Sequence, residues 1–491
     1  MLQRCTPESV GIPSAAVRRY IDLLESRGLS MHDVVLARGE RIFAEAYWAP
    51  FVPGETHRMY SETKSYVGIA VCLLAREGRI SLDAPIVSFF PDKLPETVHP
   101  YIAAQTVRHM LMMQTAVVPA SYWFTSGTQD RVRHYFESRP NNYPGTGFRY
   151  DSEGSFVLAA LVERVTGQKV LDYLRDRCLR RIGFSEKAHI LEAPGGYSWG
   201  DSALLCTPED MLSFGILIGH DGVWQGEQVL PADLVREACA VHTAPHQEGM
   251  LDYSSHGYGY QIWHFAEDAR AFNGMCDQVT LYHPGTDVTF TCNAGNIGAD
   301  SRSVIMNAFY EIVLRAAGDP LPEDPEATAA LTQRLASLRL FATPGEHTSP
   351  LVAEINGRTF RAVGDNRMHI RCFRLDFDGE GGTFRYENDQ GEKALRFAFG
   401  DNVLQQFPQT GYSAGVGSFA APGHTYRCAV SAGWRMPNDL KILVQIIDDY
   451  IGRLDINLGF NEGHAQVRMF KTAENFLDEY QGTMDAVMEE V

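Results

Sequence analysis

The chain has 491 residues, of which 45% are hydrophobic, and a formal net charge of −18 at pH 7. A chain of this length predicts two or three domains, and the apolar fraction is sufficient for buried cores. The strong negative charge argues against nucleic acid and anionic membrane surfaces as partners, because both are themselves negatively charged. The sequence contains no apolar run long enough to span a bilayer.

The nine cysteines are odd in number and have no short paired spacing, which favours reduced, buried thiols. The first residues lack the apolar core of a secretory signal, so we expect a cytoplasmic protein. His242 and His246 are four residues apart in a proline-containing stretch and do not share a helix face, so we expect no metal site there. We expect no cofactor, a small-molecule substrate as the partner, and leave a homodimer open.

A serine and a lysine three residues apart open the first long predicted helix. Ser61-Glu62-Thr63-Lys64 is the only place where this spacing occurs, and Gly78 is a natural end for the helix. Residues three apart share a helix face, so Lys64 can reach the Ser61 hydroxyl and act as its base. The first helical turn also favours negative charge. The helix itself is predicted by one apolar stripe of Val67, Ala70, Val71 and Leu74. The alternative is a surface helix with a capping serine and a solvated lysine.

A tyrosine precedes a second apolar helix pattern, which runs from Gly154 to Gly167. In this position the phenol of Tyr150 can lie beside a serine–lysine pair and relay protons between nucleophile and leaving group. The alternative is an ordinary buried tyrosine with a hydrogen-bonded hydroxyl.

Two other serines lie in the Gly-x-Ser-x-Gly pattern of a nucleophile elbow, namely Ser198 and Ser413. That elbow requires a buried strand before the serine and a helix beginning at it. Both serines lie in loop-like sequence without a following helix signal, so we predict that neither is the nucleophile.

Residues 5–315 resemble the serine β-lactamase and penicillin-binding-protein superfamily, in particular its class C β-lactamase-like esterase and peptidase branch. Ser61 and Lys64 match the nucleophile motif, and Tyr150-Asp151-Ser152 stands where that branch usually has Tyr-x-Asn. The resemblance implies an α/β (α+β) catalytic domain over residues 1–317, with an antiparallel sheet flanked by helices and an all-helical part.

The resemblance also implies a third motif, a Lys-Thr-Gly-like strand beside the nucleophile. The best candidate is Asn273-Gly274-Met275, because Gly274 lets the backbone approach the substrate closely. The amides of Met275 and Ser61 would then form the oxyanion hole. The rival is His283-Pro284-Gly285, which fits better as a turn between two strands.

This sequence departs from the family pattern at two positions. The third motif lacks its lysine, for which Arg270 is a candidate replacement, and Ser152 stands in place of the asparagine. Both changes argue against efficient β-lactam hydrolysis and are compatible with an esterase, an amidase or an acyltransferase. Trp199 is a candidate pocket residue, and Cys276 is more simply a core-lining thiol than a site residue.

The composition changes after residue 317. Residues 318–344 form an acidic, proline-rich linker with a short helix at 327–338. Residues 345–491 alternate strand and turn patterns, which predicts a small antiparallel β-barrel with a C-terminal helical tail near 473–488. Members of the superfamily carry lipocalin-like domains of this size that can cover the active-site mouth, for which Trp434 and Arg435 are candidates. A stabilising appendage or a dimer contact is the alternative.

These residues together predict a serine hydrolase that cleaves a carboxylic ester or a small amide or peptide bond through an acyl-enzyme. Ser61 would attack the carbonyl, Lys64 would accept its proton, and Tyr150 would protonate the leaving group. An acyltransferase or peptide cyclase using the same acyl-enzyme remains an alternative. A second alternative is a non-catalytic ligand-binding protein on a hydrolase scaffold.

Overall fold

A computed structural model of the chain describes residues 2–117, 130–193, 195–245, 256–298, 300–410, 425–473, 477 and 479–490. The chain divides into two compact units, Met1–Arg339 and Leu340–Val491. This boundary lies inside the segment 318–344 that the sequence predicts as a linker, and residues 318–339 belong to the first unit.

The first unit is built on one large sheet. The described strands of this unit are β1 (Gln3–Arg4), β2 (Met31–Arg38), β3 (Arg41–Tyr47), β4 (His57–Arg58), β5 (His189–Ile190), β6 (Leu204–Cys206), β7 (Val223–Trp224), β8 (Glu227–Gln228), β9 (Gly257–Tyr258), β10 (Trp263–His264), β11 (Arg270–Gly274), β12 (Gln278–His283) and β13 (Val288–Ala294). Eight of these strands form the sheet, in the order β1-β3-β2-β13-β12-β11-β10-β9. Every neighbouring pair is antiparallel except β1 and β3.

Helices flank this sheet, as the sequence predicted. They are α1 (Ser14–Ser26), α2 (Thr63–Arg76), α3 (Pro100–Ala103), α4 (Val107–Leu111), α5 (Arg131–Glu137), α6 (Ser152–Thr166), α7 (Val170–Arg177), α8 (Pro208–Gly219), α9 (Ala232–Cys239), α10 (Ser301–Ala308) and α11 (Pro325–Ala336). Helix α8 packs against β2, β12 and β13, and α1 packs against a π-helical turn, Phe309–Val313, that continues α10. Within the described ranges, no helix has both the length and the apolar character needed to cross a membrane.

Helices α2 and α6 pack against each other, and most of each helix is buried. Every residue of α2 from Thr63 to Leu74 is buried. The single apolar stripe expected for α2 is therefore only part of its buried surface, because a helix in the interior has no solvent face. Burial on all sides places Lys64 in the interior.

The segment predicted as a linker is held against the first unit by its backbone. The amide of Gly318 donates to the Gly11 carbonyl (2.9 Å), and the amide of Leu321 donates to the Glu8 carbonyl (2.9 Å). Helix α11 follows, and its Arg334 pairs with Asp22 of α1 at 2.7 Å. The amino-acid composition could not reveal that this segment packs against the first unit, because the hydrogen bonds of Gly318 and Leu321 are made by main-chain groups.

The second unit is a closed barrel, as predicted. After a short helix, α12 (Val352–Ile355), its strands are β14 (Thr359–Ala362), β15 (Cys372–Phe377), β16 (Gly381–Asn388), β17 (Gly391–Phe399), β18 (Val403–Thr410), β19 (Thr425–Met436), β20 (Asp439–Ile447), β21 (Ile451–Asn461), β22 (His464–Ala473) and β23 (Gly482–Met488). Nine strands of the described part form the ring, which a β17–β19 pairing closes, and β18 pairs alongside β19.

The predicted C-terminal helical tail is wrong, because β23 occupies most of its second half. This strand pairs with both β14 and β22. Met484 and Ala486 alternate with more exposed neighbours and are buried. Alternation with a period of two is the pattern of a half-buried strand, and it overrides the helix-favouring composition.

Two buried carboxyl groups lie between the large sheet and the helices. Both carboxyl oxygens of Asp33 accept from the Asn293 amide nitrogen, at 3.0 and 2.9 Å. The fully buried Glu62 accepts from the Thr280 hydroxyl at 2.9 Å. Burial raises the pKa of Glu62 well above its ordinary value and raises the pKa of Asp33 to about 8. Asp33 therefore keeps its proton at neutral pH.

The substitution Asp33→Asn should stabilise the protein increasingly as the pH rises. The pKa of Asp33 is about 8 in the folded chain, whereas an aspartate in an unfolded chain titrates near about 4. The stability that Asp33 contributes is thus fully present below about pH 4 and is lost towards pH 8, by at most about 1.4 kcal/mol per pH unit. Asparagine does not titrate, and its amide can donate to Asn293 Oδ1, which has no described partner.

Denaturant unfolding of both proteins from pH 4 to 9 measures this difference, and Asp365→Asn at an exposed position controls for the loss of a charge alone. A difference that stays constant across this range would contradict the raised pKa.

The substitution Gly11→Ala should destabilise the first unit more than Gly54→Ala. Both glycines have a positive φ, 75° and 78°, so each alanine should lose roughly 1 kcal/mol from backbone strain. A Cβ at Gly11 would also lie 2.1 Å from the Gly318 carbonyl oxygen, whereas a Cβ at Gly54 would meet nothing within 4 Å. Thermal unfolding should show the larger fall in midpoint for Gly11→Ala, and equal losses would mean that the 318–321 segment does not pack there.

Candidate active site

Ser61 lies in a short 3-10 turn, Tyr60–Glu62, that leads directly into α2. The preceding Tyr60 is buried and has a φ of 47°, in the left-handed region that is costly for a residue with a Cβ. The Thr63 hydroxyl donates to the Tyr60 carbonyl at 2.6 Å and accepts from the Leu204 amide at 3.0 Å. These bonds hold the strained turn, and Ser61 remains partly exposed between two buried neighbours.

Lys64 connects the Tyr60–Glu62 turn, named the nucleophile turn after its candidate residue Ser61, to a neighbouring loop. Its Nζ atom donates to Ser61 Oγ at 2.9 Å and to the main-chain oxygen of Asp201 at 2.6 Å. The residue is only 1% exposed, which is inconsistent with the solvated surface lysine considered above. Two acceptors thus fix the amine at hydrogen-bonding distance from the serine, as a general base requires.

Tyr150 lies on the other side of the lysine. Lys64 Nζ lies 5.1 Å from the centroid of the Tyr150 ring. A second contact is with Trp263 of β10, whose ring stacks on Tyr150 with centroids 5.8 Å apart. Trp263 was missed from the sequence, because nothing in its local pattern indicates a contact with a loop more than 100 residues earlier. Tyr150 is therefore in contact with both the Lys64 side chain and the Trp263 ring.

The two residues after Tyr150 begin α6. Asp151 caps this helix, with its Oδ1 accepting from the Gly154 amide at 2.9 Å. Burial raises the pKa of the Asp151 carboxyl to about 6. Ser152 is the first helical residue and is half-buried. Its short hydroxyl occupies the position where the resemblance expects a longer amide.

The end of β11 packs against the backbone that leads to Ser61. A Cβ at Gly274 would lie 2.2 Å from the Met59 carbonyl oxygen, so only glycine fits this close approach. Met275 follows as the first residue of the hairpin to β12, and its side chain is 45% exposed. Asn273 is half-buried, and its Oδ1 has no hydrogen-bond partner in the described part of the chain. The structure thus brings Asn273, Gly274 and Met275 to the nucleophile turn.

The rival third motif lies at the other end of the strand pair. His283 is the last residue of β12, and 284–287 form the turn to β13. Gly274 pairs with Gln278 at the opposite end of β12. Five residues of extended strand span roughly 16 Å, which separates His283 from the nucleophile turn. The geometry therefore favours Asn273-Gly274 over His283-Pro284-Gly285.

Arg270 does not stand in for the missing lysine. It pairs with Tyr282, four strand residues from Gly274, and its guanidinium donates to Asp221 at 2.9 Å and to the Ile218 carbonyl at 2.8 Å. The position two residues before Gly274 is Phe272, whose ring packs near those of Tyr66 and Phe214. An apolar ring therefore replaces the cation expected on this strand.

A cation that the sequence did not reveal lies at the hairpin instead. Arg302 of α10 pairs with Asp277 at 3.1 Å and donates to the Gly274 carbonyl. It follows β11 by almost 30 residues and belongs to a different element, so no local pattern indicated it. Its contacts hold the hairpin against α10.

The remaining candidate residues occupy structural positions. The Arg58 guanidinium lies 4.6 Å from the ring centroids of both Tyr60 and Trp199, so Trp199 contacts the nucleophile turn through this stack. Ser198 is buried in a loop, and the next helix, α8, begins only at Pro208. Cys276 is half-buried in the β11–β12 hairpin.

Two residues singled out in the sequence, Ser413 and His246, lie outside the described residues. His242 stacks on the Tyr260 ring with centroids 4.1 Å apart. Among the residues that the structure describes, no group of three or more histidine, cysteine or acidic side chains has the arrangement of a metal site.

Comparison with known proteins identifies the family of this chain. The family model described as β-lactamase matches residues 11–307. The 6-aminohexanoate-dimer hydrolase of Paenarthrobacter ureafaciens is 29% identical over 224 residues, which are 42% of this chain and 56% of that protein. The match thus spans just over half the length of this curated relative.

Solved structures show the same fold. A Bacillus anthracis protein, assigned as a 6-aminohexanoate-dimer hydrolase, aligns with a TM-score of 0.54 at 20% identity and covers 66% of this chain and 89% of its own. The octameric penicillin-binding protein homologue from Pyrococcus abyssi aligns with a TM-score of 0.50 at 14% identity and covers 96% of this chain and 99% of its own. The family match contains Ser61, Lys64, Tyr150 and Gly274, and the chain belongs to the β-lactamase family.

Proposed function

We propose that this protein is a serine hydrolase that cleaves a carboxylic ester or a small amide bond through an acyl-enzyme on Ser61. The observation that carries the proposal is the buried Lys64 amine, 2.9 Å from Ser61 Oγ and 2.6 Å from the Asp201 carbonyl oxygen. A buried amine in contact with a partly exposed serine hydroxyl is the arrangement that activates a nucleophile. The relative named as a 6-aminohexanoate-dimer hydrolase supports hydrolysis.

The proposed reaction has two steps. In the first, the Ser61 oxygen bonds to the substrate carbonyl carbon while Lys64 accepts the hydroxyl proton, and Tyr150 delivers a proton to the leaving group as its bond breaks. The amides of Ser61 and Met275 stabilise the oxyanion. In the second step, water attacks the acyl-enzyme along the reverse proton path. Lys64 and Tyr150 act as one coupled unit, since Lys64 Nζ lies 5.1 Å from the centroid of the Tyr150 ring.

The third strand motif indicates the kind of substrate. Phe272 replaces the lysine that in β-lactamases and D-alanyl peptidases faces the substrate carboxylate. Arg302 is near the hairpin, but Asp277 and the Gly274 carbonyl already engage it. We therefore expect the preferred substrates to lack a carboxylate next to the scissile bond, and β-lactams to be poor substrates. Transfer of the acyl group to an amine would use the same acyl-enzyme.

A fluorophosphonate should form one covalent adduct with the protein, and Ser61→Ala should abolish it. Intact-protein mass spectrometry measures the adduct, with Ser198→Ala and Ser413→Ala as controls that should keep it. Lys64→Ala should slow labelling by roughly 10²–10⁴-fold, because the hydroxyl then lacks its base. An adduct that survives Ser61→Ala and disappears in Ser198→Ala or Ser413→Ala would overturn the assignment.

The substitution Gly274→Ala should reduce acylation by about 10²-fold or more. The added Cβ would lie 2.2 Å from the Met59 carbonyl oxygen and would move the Met275 amide away from Ser61. Gly459→Ala in β21 is the control, because a Cβ there meets nothing within 4 Å. Acylation is measured as the burst of nitrophenol from a 4-nitrophenyl ester. A folded Gly274→Ala protein with the wild-type burst rate would exclude Met275 from the oxyanion hole.

A further inference from the structure

One buried arginine joins two segments of the site. Arg131, the first residue of α5, donates to Glu153 through Nε (2.8 Å) and Nη2 (3.1 Å). It also donates to Asp201 through Nη1 (2.8 Å) and Nη2 (3.0 Å). The three side chains are at most 4% exposed. The guanidinium also lies 4.2 Å from the Phe156 ring centroid, on α6.

Each carboxylate of this cluster belongs to a segment that holds a different reacting group. The main-chain oxygen of Asp201 accepts from the Lys64 amine at 2.6 Å. Glu153 lies in the first turn of α6, three residues after Tyr150. The same guanidinium therefore sets the position of the loop beside the base and of the helix start beside the phenol.

The physical chemistry of burial argues for a role in orientation. Removing an arginine and two carboxylates from water is costly, and an apolar cluster of similar volume is often equally stable. What a guanidinium adds is direction, because its planar fork binds two carboxylates at fixed angles.

We propose that Arg131, Glu153 and Asp201 form a positioning cluster that holds Lys64 and Tyr150 in register with Ser61. This proposal rests on the proposed acyl-enzyme function. The cluster acts through the two segments, so its members are positioning residues and not catalytic ones.

The two arms of the cluster have different kinetic signatures. The contact of Arg131 with Asp201 supports Lys64, the proposed base, which every acylation needs. The contact of Arg131 with Glu153 supports Tyr150, whose phenol matters most when the leaving group must be protonated. A 4-nitrophenolate departs without a proton, whereas an ethoxide does not. The same acyl group on these two leaving groups therefore separates the arms.

The experiment compares kcat/KM for 4-nitrophenyl butyrate and ethyl butyrate in the full-length protein. Asp201→Asn should lower both values by the same factor, roughly tenfold to a hundredfold, as expected for a misplaced reacting group. Glu153→Gln should lower the ethyl ester value at least tenfold more than the nitrophenyl ester value. Glu163→Gln is the matched control, because the Glu163 side chain lies on the same helix, is only 9% exposed and pairs with Lys169 at 3.5 Å.

Arg131→Lys provides a second variant that keeps the charge but loses the fork. It should lower both activities while retaining most of the thermal stability. Equal losses with both esters in Glu153→Gln would overturn the proposal in favour of a purely structural role. So would losses in Asp201→Asn and Glu153→Gln that only follow a lowered unfolding midpoint. Wild-type rates in Asp201→Asn and Glu153→Gln would also overturn the proposal.

The variant Ser61→Ala distinguishes a failure of the positioning proposal from a failure of the proposed function. If Ser61→Ala keeps ester hydrolysis, the acyl-enzyme assignment is wrong and the cluster has no reacting groups to position. If Ser61→Ala is inactive but the cluster variants behave like Glu163→Gln, only the positioning proposal fails.

Discussion

The site depends on the hydrogen bonds of one buried amine. Lys64 donates to Ser61 Oγ and to the Asp201 carbonyl, and its residue is almost completely excluded from water. A lysine amine buried without partners is very costly, so the two acceptors determine where it can lie. The nucleophile turn, the loop around Asp201 and the Tyr150 ring must all fit around this position.

Two other buried carboxyl groups lie between the sheet and the helices. Asp33 is hydrogen-bonded to Asn293 and Glu62 to Thr280. Burial raises the pKa of both carboxyls, and at about 8 that of Asp33 leaves it protonated at neutral pH. Glu62 directly follows Ser61 in the Tyr60–Glu62 turn, so its hydrogen bond to Thr280 of β12 anchors this turn to the sheet.

The sequence pattern predicted most of the second unit correctly but not its last strand or the packing of the segment that precedes it. The barrel followed from strands that alternate buried and exposed residues, and the structure closes them into a ring. The final strand was misassigned as a helix, because a short stretch rich in methionine, alanine and glutamate favours either form until its neighbours are known. The acidic, proline-rich composition of residues 318–344 predicts a linker. The main-chain hydrogen bonds that hold residues 318 and 321 to the first unit leave no sign in that composition.

The sequence by itself determined the family resemblance, the domain classes and the identity of Ser61, Lys64, Tyr150 and Gly274 as candidates, because short spacings on one helix or at one turn are local. The tertiary structure alone decided that Asp201, Trp263, Arg131 and Arg302 lie around them and that Arg270 and His283 do not. These contacts join residues far apart in the chain. Their partners depend on strand register and helix packing, which no local pattern specifies.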